Sequence, residues 1–320
     1  MSGPDYSQLL DPEVQAFVAR TEAFYSDVSA DASWPELRAG YDRMCADFNA
    51  GRPASVEVKD KRVGGVPLRI YTPPTPKAAT LLFLHGGGFV MGGLETHDDV
   101  CAELALKTGL RTVAVDYRLA PDAPLPAALD DCLAAGEALS EVYPEGIVLA
   151  GDSAGGCLAA ALSAAWQEEG PRVFGQVLIY PGLGWSRDTG SAIEHAKAPL
   201  LTRQDLGDYA ALLPEDPTDR TRMTPLSASD FSGLPLSVAI SVECDPLRDD
   251  SRAYTDALKA TGCEALSLNV PGLVHGSLRA RHMSTRAAEM FEIIADCITT
   301  LADQNATFAD VREICAARTF

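Results

Sequence analysis

The sequence predicts an α/β protein whose mainly parallel central sheet is covered by helices on both faces. Two observations carry that expectation. Short apolar runs rich in β-branched residues recur at Thr80 to Leu84, Arg111 to Val115, Ile147 to Ala150, Gln176 to Ile179, Leu236 to Val242 and Ala265 to Val270, each too brief for a helix. Between most of them lies helix-like sequence, such as Asp99 to Lys107, Pro126 to Leu139 and Ala154 to Glu168. Strands buried on both faces read as continuous apolar runs rather than alternating ones, and a helix between successive strands is what a parallel crossover requires.

Taken in order, the first fifty residues carry two helical patterns with start signals. Asp11-Pro12-Glu13 precedes Val14, Phe17 and Val18, and Ser33 with Pro35-Glu36 precedes Leu37, Tyr41 and Met44. From Ser55 the period changes to two: Val56 and Val58, then Val66, Leu68 and Ile70, separated by Gly64-Gly65, predict an antiparallel hairpin. Pro73, Pro74 and Pro76 block its continuation. The alternating strands and helices follow. The interval from Ile179 to Leu236 is the long one, and residues 185–224 mix helical pattern (Leu206, Tyr209, Leu212, Leu213) with Pro, Asp and Thr, as expected of an insertion lying beside a site. The predicted organisation is therefore an N-terminal helical segment over 1–50, a main domain over 51–304 with its insertion, and a C-terminal tail over 305–320.

Composition narrows the function classes. The formal charge of −19 repels phosphate backbones and anionic membranes, so nucleic acid is not an expected partner and a small neutral substrate suits the chain better. No apolar run is long enough to span a membrane, and the acidic first thirty residues do not resemble a signal peptide, which predicts a soluble, cytoplasmic protein. Eight cysteines without a C-x-x-C pair are expected as reduced thiols, not staples or zinc ligands. No metal or cofactor is expected. A homo-oligomer is compatible with the chain.

The chemistry concentrates at Gly151-Asp152-Ser153-Ala154-Gly155-Gly156, which follows a strand and opens an alanine-rich helix. That is Gly-x-Ser-x-Gly in a strand-turn-helix context, where a tight turn pushes the serine into the open and the helix N-terminus faces the reacting atom. A second glycine cluster, His85-Gly86-Gly87-Gly88-Phe89, also ends an apolar strand. The amides of Gly86, Gly87 and Gly88, with that of Ala154, are the candidate donors for an oxyanion. A phosphate cradle fits less well, because no Gly-Lys-Ser/Thr follows and the Gly-x-Gly-x-x-Gly spacing fails. A serine nucleophile needs a base oriented by an acid. Asp245 sits immediately past the strand 236–242, and Pro246 fixes the turn after it. Asp249 and Asp250 read as first-turn residues of the following helix. His275 follows the last strand through Pro271-Gly272 and completes the order Ser, Asp, His. His97 and His195 break that order, His85 reads as a loop-shaping residue, and His282 lies too far into the closing helix.

With these residues in view, the chain resembles a bacterial esterase of the hormone-sensitive-lipase family within the α/β-hydrolase fold. The resemblance rests on His85-Gly86-Gly87-Gly88-Phe89, Asp116-Tyr117-Arg118-Leu119-Ala120-Pro121, Pro126 to Asp131, Gly151 to Gly156, Asp245-Pro246-Leu247-Arg248-Asp249 and His275-Gly276. It implies a Ser153, His275, Asp245 triad, an oxyanion hole from the glycine loop plus Ala154, and a helical cap over an acyl pocket. Short to medium acyl esters are the expected substrates. Two departures are Ser277, where the family commonly has an aromatic, and the tail beyond Thr307. An amide or formamide hydrolase using the same triad is the alternative within enzymes. A non-catalytic ligand receptor on this fold is the alternative outside them, and the presence of all three triad residues argues against it.

Overall fold

The structure is a computed structural model that describes residues 3–26, 29, 32–167, 169–184 and 188–318. Three helices open the chain: α1 (Tyr6–Leu9), α2 (Pro12–Ala23) and α3 (Trp34–Phe48). The expected start signals form. Asp11 accepts from the Val14 amide at 2.9 Å, and Ser33 closes a capping box with Glu36, each satisfying amides that a helix start leaves unpaired. The hairpin follows as β1 (Glu57–Val63) and β2 (Val66–Thr72), paired around Gly64-Gly65.

The main domain then alternates β3 (Thr80–Leu84), α4 (Asp98–Thr108), β4 (Arg111–Val115), α5 (Pro126–Val142), β5 (Ile147–Asp152), α6 (Ala154–Ala165) and β6 (Val173–Ile179). Short helices α7 (Ser191–Glu194), α8 (Arg203–Ala210) and α9 (Pro217–Arg222) fill the long interval. The chain closes with β7 (Ser237–Cys244), α10 (Arg248–Ala260), β8 (Ala265–Val274), α11 (Thr285–Leu301) and α12 (Phe308–Ala317). Residues 168, 185–187, 319 and 320 lie outside the described residues, so the expected helix end at Glu168, the start of the insertion and the last two residues of the tail are not described. Helix α6 itself ends at Ala165.

All eight strands join one sheet in the order β1-β2-β4-β3-β5-β6-β7-β8, antiparallel at β1·β2 and β2·β4 and parallel from β4 to β8. Successive side chains of β3 serve opposite cores. Leu81 and Phe83 pack with α2, α3, α4 and α11, whereas Leu82 and Leu84 pack with α5, α6 and α10. Both sets are fully buried, which is why the strands show no polar alternation in the sequence. The tail forms a helix too, with Val311 buried against the α11 side of the sheet. All eight cysteines are free thiols. Among the described residues, no helix is long and apolar enough to cross a membrane.

One tether bears on the site. Asp249 and Asp250 do start α10, but they also hold the beginning of the insertion. Asp250 Oδ2 accepts from the amides of Leu183 at 2.7 Å and Gly184 at 2.8 Å, and Asp249 Oδ2 accepts from Ser191 at 2.9 Å. Burial pushes the Asp250 carboxyl up to about 6 despite those two donors. Losing the acceptor strands two amides, so Asp250→Ala is expected to cost about 1–3 kcal/mol in urea unfolding. Asp250→Asn keeps an acceptor without the charge. Because the folded carboxyl titrates above its unfolded value, the contribution of Asp250 to wild-type stability is lost as pH rises from about 4 to about 6. The Asn variant is therefore expected to gain on wild type across that window and hold its advantage above it; a pH-independent difference would contradict the tether as described.

Candidate active site

Parallel strands bring their carboxyl ends to one edge of the sheet, and three chemistry-bearing residues sit one position past those ends. Strand β5 ends at Asp152 and is followed by Ser153; β7 ends at Cys244 and is followed by Asp245; β8 ends at Val274 and is followed by His275. The sequence placed a turn at Pro271-Gly272, ending the strand early. Instead β8 runs through that dipeptide, with Gly272 at φ 64 and its amide donating to Glu243 Oε2 at 2.7 Å. The pairing register with β7 shifts between Val242 and Cys244, a local irregularity of the kind that re-aims side chains near sites.

Ser153 makes the turn from β5 into α6 alone, with φ 55 and ψ −117. Such backbone costs an ordinary residue about 1–3 kcal/mol and persists only where its surroundings over-determine it. Here the Ser153 amide donates to the Ile179 carbonyl at 2.8 Å, and the Ser153 carbonyl accepts from Cys157 at 3.1 Å. The flanking glycines are demanded by packing, since a Cβ on Gly155 would land on the Leu84 carbonyl oxygen and one on Gly151 on the backbone of Gly155.

His275 Nε2 lies 2.8 Å from Ser153 Oγ, and His275 Nδ1 lies 2.8 Å from Asp245 Oδ2. Asp245 is fully buried, and its other oxygen accepts from the Leu247 amide at 2.8 Å. An ionised carboxylate only accepts, which places the imidazole proton on Nδ1 and leaves Nε2 to accept from the serine hydroxyl. The Tyr180 ring meets the imidazole edge-on at 4.8 Å. Ser277, where the family resemblance implies an aromatic, donates to the Val274 carbonyl at 2.6 Å and so closes the turn carrying His275.

The glycine loop calls for a correction. Gly86 cannot serve as an oxyanion donor as expected, because its amide donates to Asp152 Oδ1 at 2.9 Å. Among the described residues, no hydrogen bond uses the amides of Gly87, Gly88 or Ala154. Asp152 is the residue that sequence reasoning passed over. Burial works against its charge, yet His97, Arg279 and the Gly86 amide outweigh it and hold the carboxyl down at about 2. His97 Nε2 stands 3.1 Å from Asp152 Oδ1 and 3.3 Å from the Arg279 guanidinium, which also donates to Thr96 O at 2.7 Å and Tyr41 Oη at 2.9 Å. The signal for this network was an acidic residue inside an otherwise apolar, buried turn, which must find donors.

The remaining histidines fall outside the reaction geometry. Burial drives His85 down to about 3, and its ring packs on Tyr117 at 4.1 Å, in keeping with a loop-shaping part. His195 contacts Tyr6 Oη at 3.1 Å and Arg248 at 3.0 Å. Burial raises the thiols of Cys157 and Cys244, the latter to about 12, so neither is a thiolate near neutral pH. Asp99, Glu103 and His282 come together in a way that could hold a cation, but the Arg281 guanidinium already pairs with both carboxylates. Over Ser153 and His275 opens a cavity of about 580 Å³, walled by Phe17, Tyr25, Trp34 and Tyr41 of the N-terminal segment and Tyr209 of α8.

Comparison with known proteins agrees with this architecture. A family model described as an alpha/beta hydrolase fold matches residues 81–279. The chain is similar to the carboxylesterase NlhH of Mycobacterium tuberculosis, with 36% identity over 254 residues that cover 73% of this chain and 79% of the relative. It is also 34% identical to an ethyl acetate hydrolase of Pseudomonas putida, over 73% of this chain and 78% of that one. Among solved structures, a hyperthermophilic esterase from the archaeon Pyrobaculum calidifontis superposes with a TM-score of 0.81 at 30% identity, covering 92% of this chain and 99% of its own. An esterase of the bacterial hormone-sensitive lipase family superposes with a TM-score of 0.82 at 25% identity, over 92% and 99% of the two chains. With its glycine loop, its serine turn and more than half its length matched, the chain belongs to the α/β-hydrolase family, in the hormone-sensitive-lipase group of bacterial esterases.

Proposed function

We propose that the chain is a serine carboxylesterase that works through an acyl-enzyme formed on Ser153. The observation that carries the reading is the hydrogen-bonded line Ser153 Oγ, His275, Asp245, with both links at 2.8 Å. His275 Nε2 takes the hydroxyl proton as Oγ attacks the ester carbonyl; Asp245 holds the ring and balances the imidazolium. The carbonyl oxygen, now negative, turns to the amides of Gly87, Gly88 and Ala154, aided by the positive end of α6. His275 then gives the proton to the departing alcohol. Water enters by the same route in reverse and frees the acid. No step draws on a cofactor or metal.

Names of the relatives, carboxylesterase and ethyl acetate hydrolase, support small esters with short to medium acyl groups as substrates. Helices α1–α3 and the insertion over 185–224 act as the cap, a reading supported by the side chains both lend to the cavity wall. Gly86 acts at one remove: by tying Gly86 to the strand that carries Ser153, Asp152 sets the distance between the glycine loop and the nucleophile.

Two outcomes test this reading. On 4-nitrophenyl acetate, Ser153→Ala and His275→Ala are each expected to lower kcat by on the order of 10⁴ to 10⁶, and Asp245→Asn by about 10⁴. A Ser153→Ala protein with wild-type turnover contradicts the mechanism. Asp152→Asn weakens the grip on Gly86 without touching the triad, so kcat is expected to drop roughly tenfold or more, the size of a lost charge-assisted hydrogen bond, with KM little changed. An effect confined to KM would show that Asp152 does not set the loop.

A further inference from the structure

The space around Ser153 is divided in two. Beside the 580 Å³ cavity lies a second one of about 30 Å³, lined by Gly88, Phe89, Ala154, Gly182, Leu206 and Leu247 among others. Ser153, Gly88, Leu201 and Tyr209 border both; His275 borders the large cavity and Ala154 the small one. The Tyr209 ring forms the partition, lying so close over Gly88 that a Cβ there would sit 2.6 Å from its Cε1.

Proton delivery decides which half of an ester goes where. In the second half of acylation, His275 Nε2 must reach the departing alkoxide oxygen, so the alcohol lies on the His275 side of Ser153 Oγ. With the carbonyl oxygen turned to the loop amides, the acyl substituent takes the remaining direction, toward Ala154. Resting on the serine-esterase reading above, we infer that the large cavity is the alcohol site, the small one is the acyl site, and the enzyme acts on acetyl or propionyl esters of bulky apolar alcohols.

The dimensions support that assignment. At about 30 Å³ against about 580 Å³, the small cavity takes only the shorter half of an ester, so a long acyl chain has no room there. Its floor is built to stay small. Leu201, Leu206 and Leu247 form a buried cluster of their own, with Tyr209 packed against it, separate from the two large cores. Leu247 follows Asp245 in a turn whose amide is bonded to that carboxylate, while Leu206 comes from α8, so insertion and triad loop close the pocket from opposite sides. The large cavity lies within the size range of sites for drug-sized ligands, about 300–1,000 Å³, and its aromatic wall suits an apolar alcohol.

Hexyl acetate and ethyl hexanoate contain the same atoms and differ only in which half of the ester is long, so comparing them removes overall hydrophobicity from the test. The expected result is a kcat/KM for hexyl acetate about 100-fold or more above that for ethyl hexanoate, with both activities lost in Ser153→Ala. Leu206→Ala, and independently Leu201→Ala, is expected to shift the ratio toward ethyl hexanoate by about tenfold or more as the acyl floor opens. Equal rates, a preference for ethyl hexanoate, or a ratio that both variants leave unmoved overturns the assignment while leaving Ser153 as nucleophile. Hydrolysis of either ester that survives Ser153→Ala would instead overturn the mechanism on which the assignment rests.

Discussion

The backbone at Ser153 is the constraint on which the rest of the structure depends. A serine at φ 55 is held there by its amide on Ile179, its carbonyl on Cys157 and the contact of Gly155 with Leu84. Those contacts come from β6 (Ile179), β3 (Leu84) and α6 itself (Gly155, Cys157), and β3 and β6 are the strands that flank β5 in the sheet. Relaxing the turn into ordinary backbone would withdraw the hydroxyl from His275 and tilt the first amides of α6. The cost of the turn is thus set against the packing of the sheet, and the site is as rigid as the core beneath it.

A second constraint is charge. Asp152 and Arg279 are both largely buried in the cavity wall with His97 Nε2 between them, 3.1 Å from the carboxylate and 3.3 Å from the guanidinium, and neither charge could stand there alone. The network spans the serine strand, the glycine loop, the 3₁₀ turn Glu95–His97 and the turn after His275. It ties the glycine loop to the strand that carries Ser153 and to the 3₁₀ turn that follows His275. Tyr41 and Thr96 satisfy the guanidinium, so the first helical segment is tied to the floor of the site as well as to its roof.

Much of this was legible in the sequence because local rules and global fold agree. Start signals at Asp11 and Ser33, the Gly64-Gly65 hairpin and the apolar strand runs each follow from one local cause and each forms in place. Ser153, Asp245 and His275 were legible because a parallel sheet gathers strand ends at one edge and because the serine turn and the order Ser, Asp, His narrow the choice; position alone would also nominate His85 and Asp116, which follow β3 and β4. What escaped depends on contacts between residues far apart in the chain. Nothing near Gly86 reveals that its amide faces Asp152, sixty-six positions on. Pro271-Gly272 reads locally as a turn, and only pairing with β7 shows that the strand continues. Asp249 and Asp250 carry a helix-start signal that is correct and incomplete, because their acceptor role for the insertion is a tertiary fact.

The central claim is that one serine hydroxyl, activated by His275, carries the covalent chemistry. Covalent capture tests it most directly: the protein is treated with a fluorophosphonate, digested, and the modified residue located by mass spectrometry. The account predicts one adduct per chain, on Ser153, forming in step with the loss of esterase activity and slowed severely by His275→Ala. Complete inactivation with the adduct on another residue, or full activity retained by a protein quantitatively modified at Ser153, would contradict it.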